Sequence, residues 1–140
     1  SATNRFITLF LADLAPATGE LGVLNAGHNP GLVLRATGEL EQLVASGLPI
    51  GLMPGVHYRR EPVRLEPGDL LCLYSDGITE AASPEEEEFG LDRLTAQLAR
   101  TRQEPLDEVI AALGRELAGF TRDAPQGDDQ TIVLLRRERA

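Results

Sequence analysis

The spacing of apolar residues changes once along the chain, and this change constrains the fold more than any other feature. Short apolar or alternating runs predict strands in the first part of the chain, at Arg5–Asp13, Glu20–Ala26, Leu32–Arg35, Glu39–Val44, His57–Leu65 and Leu70–Ser75. The spacing then becomes helical, with apolar residues at Leu91, Leu94 and Leu98 and again at Leu106, Val109, Ile110, Leu113, Leu117 and Phe120. A last strand is predicted at Thr131–Arg136. This order favours an α+β architecture over alternating βαβ units.

A five-residue sequence occurs twice in the predicted strand region. Ala17–Leu21 and Ala36–Leu40 both read Ala-Thr-Gly-Glu-Leu, and each lies between two apolar segments. Glycine at the third position allows a positive φ, so both copies predict hairpin turns. A duplicated structural unit is the alternative interpretation.

Length and charge exclude several classes of function. A chain of 140 residues suits one domain, so the sequence predicts a single domain spanning residues 1–140. With 13 basic and 22 acidic residues the net charge is −9, which argues against binding nucleic acid or an anionic membrane surface. No apolar run approaches the roughly 20 residues of a membrane span.

The single cysteine rules out an intramolecular disulfide and fits a reducing compartment. The chain has no initiator methionine, so we expect a piece of a longer protein.

Two acidic segments stand where strands are predicted to end and to begin. Asp76 follows the apolar run Leu70–Ser75, and Gly77 is expected to let the backbone turn there. Asp128 and Asp129 follow Gly127, directly before the last predicted strand. If those two strands are antiparallel neighbours, the carboxylates converge and favour a hard divalent cation between them. The alternative is that all three are ordinary turn aspartates.

Other candidate residues give weaker evidence for a functional site. His28 lies in a tight loop, and no second histidine or cysteine stands at the spacing of a zinc site. Cys72 is interpreted as a small buried apolar residue, and the run Glu85–Glu88 as a solvated start of a helix.

Five segments, in order, resemble a known family. They are Ala26-Gly27-His28-Asn29-Pro30, Gly47-Leu48-Pro49-Ile50-Gly51, Pro67-Gly68-Asp69 with Leu70–Glu80, Phe89-Gly90 and Asp128-Asp129-Gln130-Thr131. Together they resemble the SpoIIE/RsbU-like bacterial branch of the PPM (type 2C) protein serine/threonine phosphatases. The resemblance extends from about Arg5 to Arg136.

The resemblance implies a fold, a cofactor and a set of site residues. The fold would be an αββα sandwich, incomplete at its N-terminus, with two Mn²⁺ or Mg²⁺ ions between the sheets of the complete domain. Phosphoserine or phosphothreonine would be hydrolysed by a metal-activated water without a phosphoenzyme. Asp76 and Asp128 would be catalytic metal ligands, and Asp129 would share the site or support it. Gly77, Thr79, Glu80 and Thr131 would support the ligands, whereas His28 and Asn29 would only shape their loop.

The resemblance also implies a biological setting. The typical substrate is a serine-phosphorylated anti-anti-sigma protein of the STAS type, and a sensor domain usually lies upstream in a cytoplasmic bacterial protein. A further metal-binding aspartate of the family lies in a glycine-rich segment that has no counterpart here. We therefore expect the isolated chain to bind metal weakly, to have little or no activity, and to self-associate through exposed apolar sheet surface.

Two alternatives remain at the level of the sequence. One is a non-catalytic phosphatase-like module that binds a partner protein. The other is an unrelated β-rich binding domain in which the acidic residues only form turns.

Overall fold

The structure is a computed structural model that describes residues 5–139. The elements in this range are β1 (Leu9–Ala15), β2 (Glu20–Ala26), β3 (Gly31–Leu34), β4 (Leu40–Leu43), β5 (Glu61–Arg64), β6 (Leu70–Tyr74), α1 (Asp76–Thr79), α2 (Gly90–Thr101), α3 (Leu106–Thr121) and β7 (Ile132–Arg136). Strands come first and helices follow, as the apolar spacing predicts. The chain forms two compact units, one running to Leu71 and including the residues from Arg137 onward, the other from Cys72 to Arg136.

Antiparallel pairing organises the first unit. One sheet has the strand order β1-β2-β5, with Leu9 opposite Ala26 and Glu20 opposite Arg64. A second hairpin pairs β3 with β4, with Leu34 opposite Leu40. Strands β2 and β3 are almost entirely buried, so they form most of the core of this unit.

The repeated Ala-Thr-Gly-Glu-Leu sequence closes both hairpins. Gly19 lies between β1 and β2 with φ +78°, and Gly38 lies between β3 and β4 with φ +98°. Both values fall in the left-handed region that glycine adopts without strain. The predicted hairpin turns are confirmed.

A buried aspartate joins two turns of the first unit. The side chain of Asp69 accepts hydrogen bonds from the Arg35 guanidinium (2.6 Å) and from the backbone N–H groups of Ala36 (2.7 Å) and Glu66 (2.8 Å). Burial alone would raise the pKa of Asp69, but these hydrogen bonds hold its pKa below the ordinary value. The carboxylate is therefore charged and fully partnered in the folded protein.

Helices α2 and α3 provide the core of the second unit. Leu94 and Leu98 of α2 and Val109 and Leu113 of α3 are buried, at the spacing that predicted one apolar face on each helix. Two aromatic rings also pack in the second unit: Phe89 meets Phe120 edge to face, with 5.4 Å between the ring centroids.

Several element boundaries differ from the prediction. Strand β1 begins at Leu9 instead of Arg5, although Ile7 makes an isolated bridge to Ile50. Of the predicted strand His57–Leu65 only Glu61–Arg64 pairs, and it includes Pro62, which an edge strand such as β5 tolerates. Pro105 is the N-cap of α3 and not its first helical residue. The one-turn helix α1 was not predicted.

The acidic run is exposed and lies directly before α2. Glu85 forms an ion pair with Arg122, and Glu87 forms one with Arg93 at 2.8 Å. These pairs and the exposure agree with a solvated segment, but the prediction that Glu85–Glu88 starts a helix is wrong, because α2 begins at Gly90. Within residues 5–139, no helix combines the length and the apolar character needed to cross a membrane.

Candidate metal centre

The end of β6 lies beside the start of β7. The backbone N–H of Ser75, directly after β6, donates to the carbonyl of Thr131, directly before β7, at 3.0 Å. The two strands are hydrogen-bonded neighbours. The condition under which the two acidic segments should converge is therefore met in the second unit.

Asp76 begins α1 immediately after this contact. The residue is exposed, and its carbonyl accepts the backbone N–H of Glu80 at 2.8 Å, which closes the single turn of helix. The apolar residues of β6 are buried almost completely, so the strand that delivers Asp76 is fixed in the core. A carboxylate placed at the end of a rigid strand can be held in one position.

Gly77 brings the second acidic segment against α1. A Cβ atom on Gly77 would lie 2.0 Å from the carbonyl oxygen of Asp129 and 3.1 Å from that of Asp128. Every other residue would collide with this backbone, so only glycine permits the approach. The sequence predicted that Gly77 lets the chain turn, but its role in the structure is to leave room, because its φ is not positive.

Asp128 and Asp129 are exposed, and their backbone lies against Gly77. The Oδ1 atom of Asp128 accepts the N–H of Asp129 at 2.8 Å, and Gln126 donates from Nε2 to the Asp128 carbonyl at 2.8 Å. These bonds fix the local conformation of the loop before β7. Thr131 takes part through its backbone, since both its N–H and its carbonyl bond to Ser75.

A cavity of about 490 Å³ adjoins this region within the second unit. Predicted site residues Gly77, Glu80 and Asp128 border it on one side. Residues of α3, among them Gly114 and Leu117, border it on another side. Asp76 and Asp129 are not among its lining residues, so the cavity adjoins only part of the predicted metal site.

The donor chemistry of this region fits a hard divalent cation. Carboxylate oxygens are the ligands that Mg²⁺ and Mn²⁺ prefer, and Mg²⁺ is often held by one or two carboxylates together with water and phosphate oxygens. Among residues 5–139, no group of three or more His, Cys, Asp or Glu side chains is placed to hold an ion. The ligand set Asp76, Asp128 and Asp129 stays a prediction.

The other reactive side chains near Asp76 are held in their neutral forms. Burial raises the pKa of the Cys72 thiol to about 12. Burial is also the main cause that raises the pKa of Tyr74 to about 12, and the negative charge of Asp76 adds to it. A neutral buried thiol is a poor nucleophile, so Cys72 is the small apolar core residue that the sequence predicted.

Sequence reasoning missed two residues that organise loops by hydrogen bonding. Asn25 is buried, accepts the N–H of His28 at 2.8 Å and donates to the carbonyls of Leu43 (3.1 Å) and Asn29 (3.2 Å). Asn25 therefore holds the loop that contains His28. Its signal in the sequence was a polar residue within an otherwise apolar strand. Ser75 is the second residue that organises a loop, because its hydroxyl bonds to the backbone of Asp129 and Thr131.

The comparisons with known proteins identify the family. The family described as Stage II sporulation protein E (SpoIIE) matches residues 1–138. Protein IcfG of Synechocystis sp. is 33% identical over 132 residues, which are 94% of this chain and 21% of IcfG. Phosphoserine phosphatase RsbU of Bacillus subtilis is 28% identical over 139 residues, which are 96% of this chain and 40% of RsbU.

The fold agrees with that of solved phosphatase domains. The phosphatase domain of the cell fate determinant SpoIIE from Bacillus subtilis, presoaked with Mn, matches with a TM-score of 0.71 and 26% identity over 95% of this chain and 57% of that one. The chain thus spans about a fifth of the length of IcfG, two fifths of the length of RsbU and somewhat more than half of the solved SpoIIE domain. Since the family match covers almost every residue and the fold is that of PP2C phosphatase domains, the chain belongs to the SpoIIE family of PPM-type (PP2C) phosphatases.

Proposed function

We propose that the full-length protein is a metal-dependent protein serine/threonine phosphatase and that Asp76 and Asp128 hold Mn²⁺ or Mg²⁺. The observation that carries this proposal is the approach of Gly77 to the carbonyl of Asp129, which joins the two acidic segments. A strand end and a strand start, each with an exposed carboxylate, are thereby kept together. In the complete domain two ions would be held, with further ligands from residues outside this chain.

The residues of this chain would bind and orient the groups that react. Divalent ions in such a site lower the pKa of bound water and neutralise charge on phosphoryl oxygens. Asp76 would present its carboxylate from the end of a buried strand, and Asp128 from a loop fixed by its bond to Asp129. Glu80 closes α1 behind Asp76. Cys72 is buried and would take no part in the reaction.

Asp129 has two open roles in this proposal. Its carboxylate would share the metal site, or its backbone would only support Asp128 and Gly77. An Asp129→Asn variant distinguishes them: a ligand role predicts a large loss of Mn²⁺ affinity, whereas a supporting backbone role predicts a small one.

The substrate would be a phosphorylated regulatory protein. RsbU is a phosphoserine phosphatase, and the resemblance to its family supports a serine-phosphorylated STAS-type anti-anti-sigma protein as substrate. We further propose that residues 1–140 are part of one phosphatase domain, that a sensor domain precedes it, and that the protein acts in the bacterial cytoplasm. The isolated chain would be weak or inactive.

Phosphate release by the full-length protein tests the function. With Mn²⁺ and a phosphorylated STAS protein, wild type should release phosphate and chelation of the metal should stop it. Asp128→Asn should lower the rate by more than about 100-fold, because residues that merely support a ligand already cost about 10–100-fold. Asp123→Asn, a change to another exposed aspartate in the same loop, is the matched control and should leave the rate unchanged.

The same assay separates the enzyme from a non-catalytic binding module. A module would bind the STAS protein without releasing phosphate in the presence of Mn²⁺. That outcome would overturn the proposed activity while leaving the fold assignment intact.

A further inference from the structure

Ser75 bonds to the second acidic segment through its backbone and its side chain. Its N–H donates to the carbonyl of Thr131 at 3.0 Å, and its hydroxyl donates to the carbonyl of Asp129 at 3.0 Å. The same hydroxyl accepts the N–H of Thr131 at 2.9 Å. One side chain thus bonds to the backbone on both sides of residue 130.

The hydroxyl of Ser75 is not used in the way its position in the chain would suggest. Ser75 is the N-cap residue of α1, where a serine side chain commonly accepts an N–H of the first helical turn. Here the side chain makes no capping hydrogen bond, and the hydroxyl faces the loop before β7 instead. The first turn of α1 therefore has no side-chain cap, and the Ser75 hydroxyl bonds to the loop before β7 instead.

Asp76 therefore lies between two constraints that involve the same loop. The residue before it, Ser75, is bonded to Asp129 and Thr131, and the residue after it, Gly77, is in contact with the carbonyl of Asp129. A shift of Asp76 relative to Asp128 would break the hydrogen bonds on one side or force a collision on the other. These contacts hold the backbone at Asp76 against the backbone of residues 129–131.

We propose that Ser75 is a positioning residue that sets the distance between Asp76 and Asp128 for metal binding. The inference rests on the proposed function, since it assumes that these two carboxylates are ligands. The hydroxyl of Ser75 donates to Asp129 and accepts from Thr131 through one oxygen atom, which an apolar side chain cannot replace. Residues 129–131 are exposed, so water can replace the hydroxyl in a variant, and the fold should survive its loss while the spacing loosens.

A pair of variants of equal shape isolates the hydroxyl. Ser75 has φ −95° and ψ 162°, an extended conformation that suits β-branched residues, so both Ser75→Thr and Ser75→Val should be accommodated. In the full-length protein, Mn²⁺ binding measured by electron paramagnetic resonance should match wild type for Ser75→Thr. For Ser75→Val the affinity should fall by about tenfold or more, as for other residues that orient metal ligands. Equal affinity of the two variants would overturn the proposal.

Thermal unfolding without metal separates positioning from simple stabilisation. The proposal predicts similar melting temperatures for the two Ser75 variants and a difference only in Mn²⁺ affinity. If Ser75→Val does not fold, Ser75→Ala replaces it under the same expectation. Ser83→Ala is the matched control, because the Ser83 hydroxyl also accepts a backbone N–H, that of Glu87, at 3.2 Å. The Ser83→Ala variant should bind Mn²⁺ as wild type does.

Asp76→Asn distinguishes failure of this inference from failure of the function. Weak Mn²⁺ binding by Asp76→Asn together with unchanged binding by Ser75→Val would overturn the role of Ser75 alone. Unchanged binding by Asp76→Asn would overturn the proposed metal site, and the inference with it.

Discussion

At Gly77, the carbonyl oxygen of Asp129 occupies the space that any other residue would need for its Cβ atom. Backbone cannot move aside as the end of a long side chain can, so a substitution must separate α1 from the loop before β7. The two exposed carboxylates would separate with them. A position without a side chain thus decides whether the acidic segments meet.

Gly77→Ala should therefore damage both stability and metal binding. We expect the free energy of unfolding to fall by about 1–3 kcal/mol, the usual cost of forcing extra atoms into a filled space. Mn²⁺ affinity should fall as well. The control is Gly119→Ala in α3, where nothing lies within 4 Å of the added Cβ. This change should be neutral or should stabilise the helix by up to about 1 kcal/mol. Circular dichroism during urea unfolding gives the free energy of unfolding of each variant. Equal losses of stability for Gly77→Ala and Gly119→Ala would contradict the role of Gly77.

Asp69 should matter for stability, since its buried carboxylate is bonded to Arg35 and to two backbone N–H groups. Asp69→Ala leaves the N–H groups of Ala36 and Glu66 without their acceptor and removes one partner of Arg35, which keeps Glu41, so it should lower the free energy of unfolding by about 3 kcal/mol. Asp13→Ala removes an ion pair with Arg60 that is exposed on both sides and should have little effect. Chemical denaturation at neutral pH gives the comparison, and a small loss for Asp69→Ala would count against the network.

The same residue predicts a pH dependence. The pKa of Asp69 in the folded state is lowered from its ordinary value of 3.8. A lowered pKa contributes stability that is present above the unfolded pKa and is lost as the pH falls through the folded pKa. The difference in stability between wild type and Asp69→Ala should therefore be constant near neutral pH and shrink below about pH 4. A difference that stays constant down to pH 2 would show that folding does not lower the pKa of Asp69.

Among the elements, α3 departs at one position from its predicted apolar face. Leu113 is 2% exposed, whereas Ile110, which the apolar spacing places on the same face, is 43% exposed. Leu113→Ala should cost about 2–5 kcal/mol, because it removes buried methyl groups and leaves a cavity. Ile110→Ala should cost much less. Urea unfolding of the two variants checks this, and similar costs would mean that the face of α3 has been assigned wrongly.

Element types were predictable where the local sequence alone determines them. The two hairpins follow from Gly19 and Gly38, and helices α2 and α3 follow from their apolar spacing. Helix α1 was missed because it has one turn, too short for any period to appear. Strand β5 was overestimated because alternation in His57–Leu65 continues beyond the residues that find a partner strand.

The candidate site was predictable in its acidic residues but not in the contacts that hold them. Asp76 and Asp128 stand out by their place at the end and the start of apolar strands. Ser75 and Asn25 act through hydrogen bonds to residues distant in sequence, 56 and 18 positions away in the longest cases. Such partners depend on the tertiary fold, and no periodicity or motif indicates them.

At the scale of the whole chain, β1 presents apolar side chains to solvent. It is an edge strand of its sheet, and Leu11 is 56% exposed, with Ile7 just before the strand 66% exposed. An apolar edge strand favours pairing with another chain. The isolated 140-residue chain should therefore self-associate, with a second copy covering β1.

Light scattering at increasing concentration tests this expectation. Leu11→Lys should shift the isolated chain toward the monomer, because a charge on the edge opposes pairing. Ile110→Lys, on the exposed face of α3, should not. A monomer at every concentration for the unchanged chain would refute self-association through this edge.

Asp76 and Asp128 are proposed to form the metal site of a phosphatase. The most direct measurement is the initial rate of phosphate release by the full-length protein as a function of Mn²⁺ concentration, for wild type and for Asp76→Asn. The account predicts a saturable Mn²⁺ dependence for wild type and a rate lowered by more than about 100-fold for Asp76→Asn at every concentration. Equal rates and an equal Mn²⁺ dependence for the two proteins would contradict it.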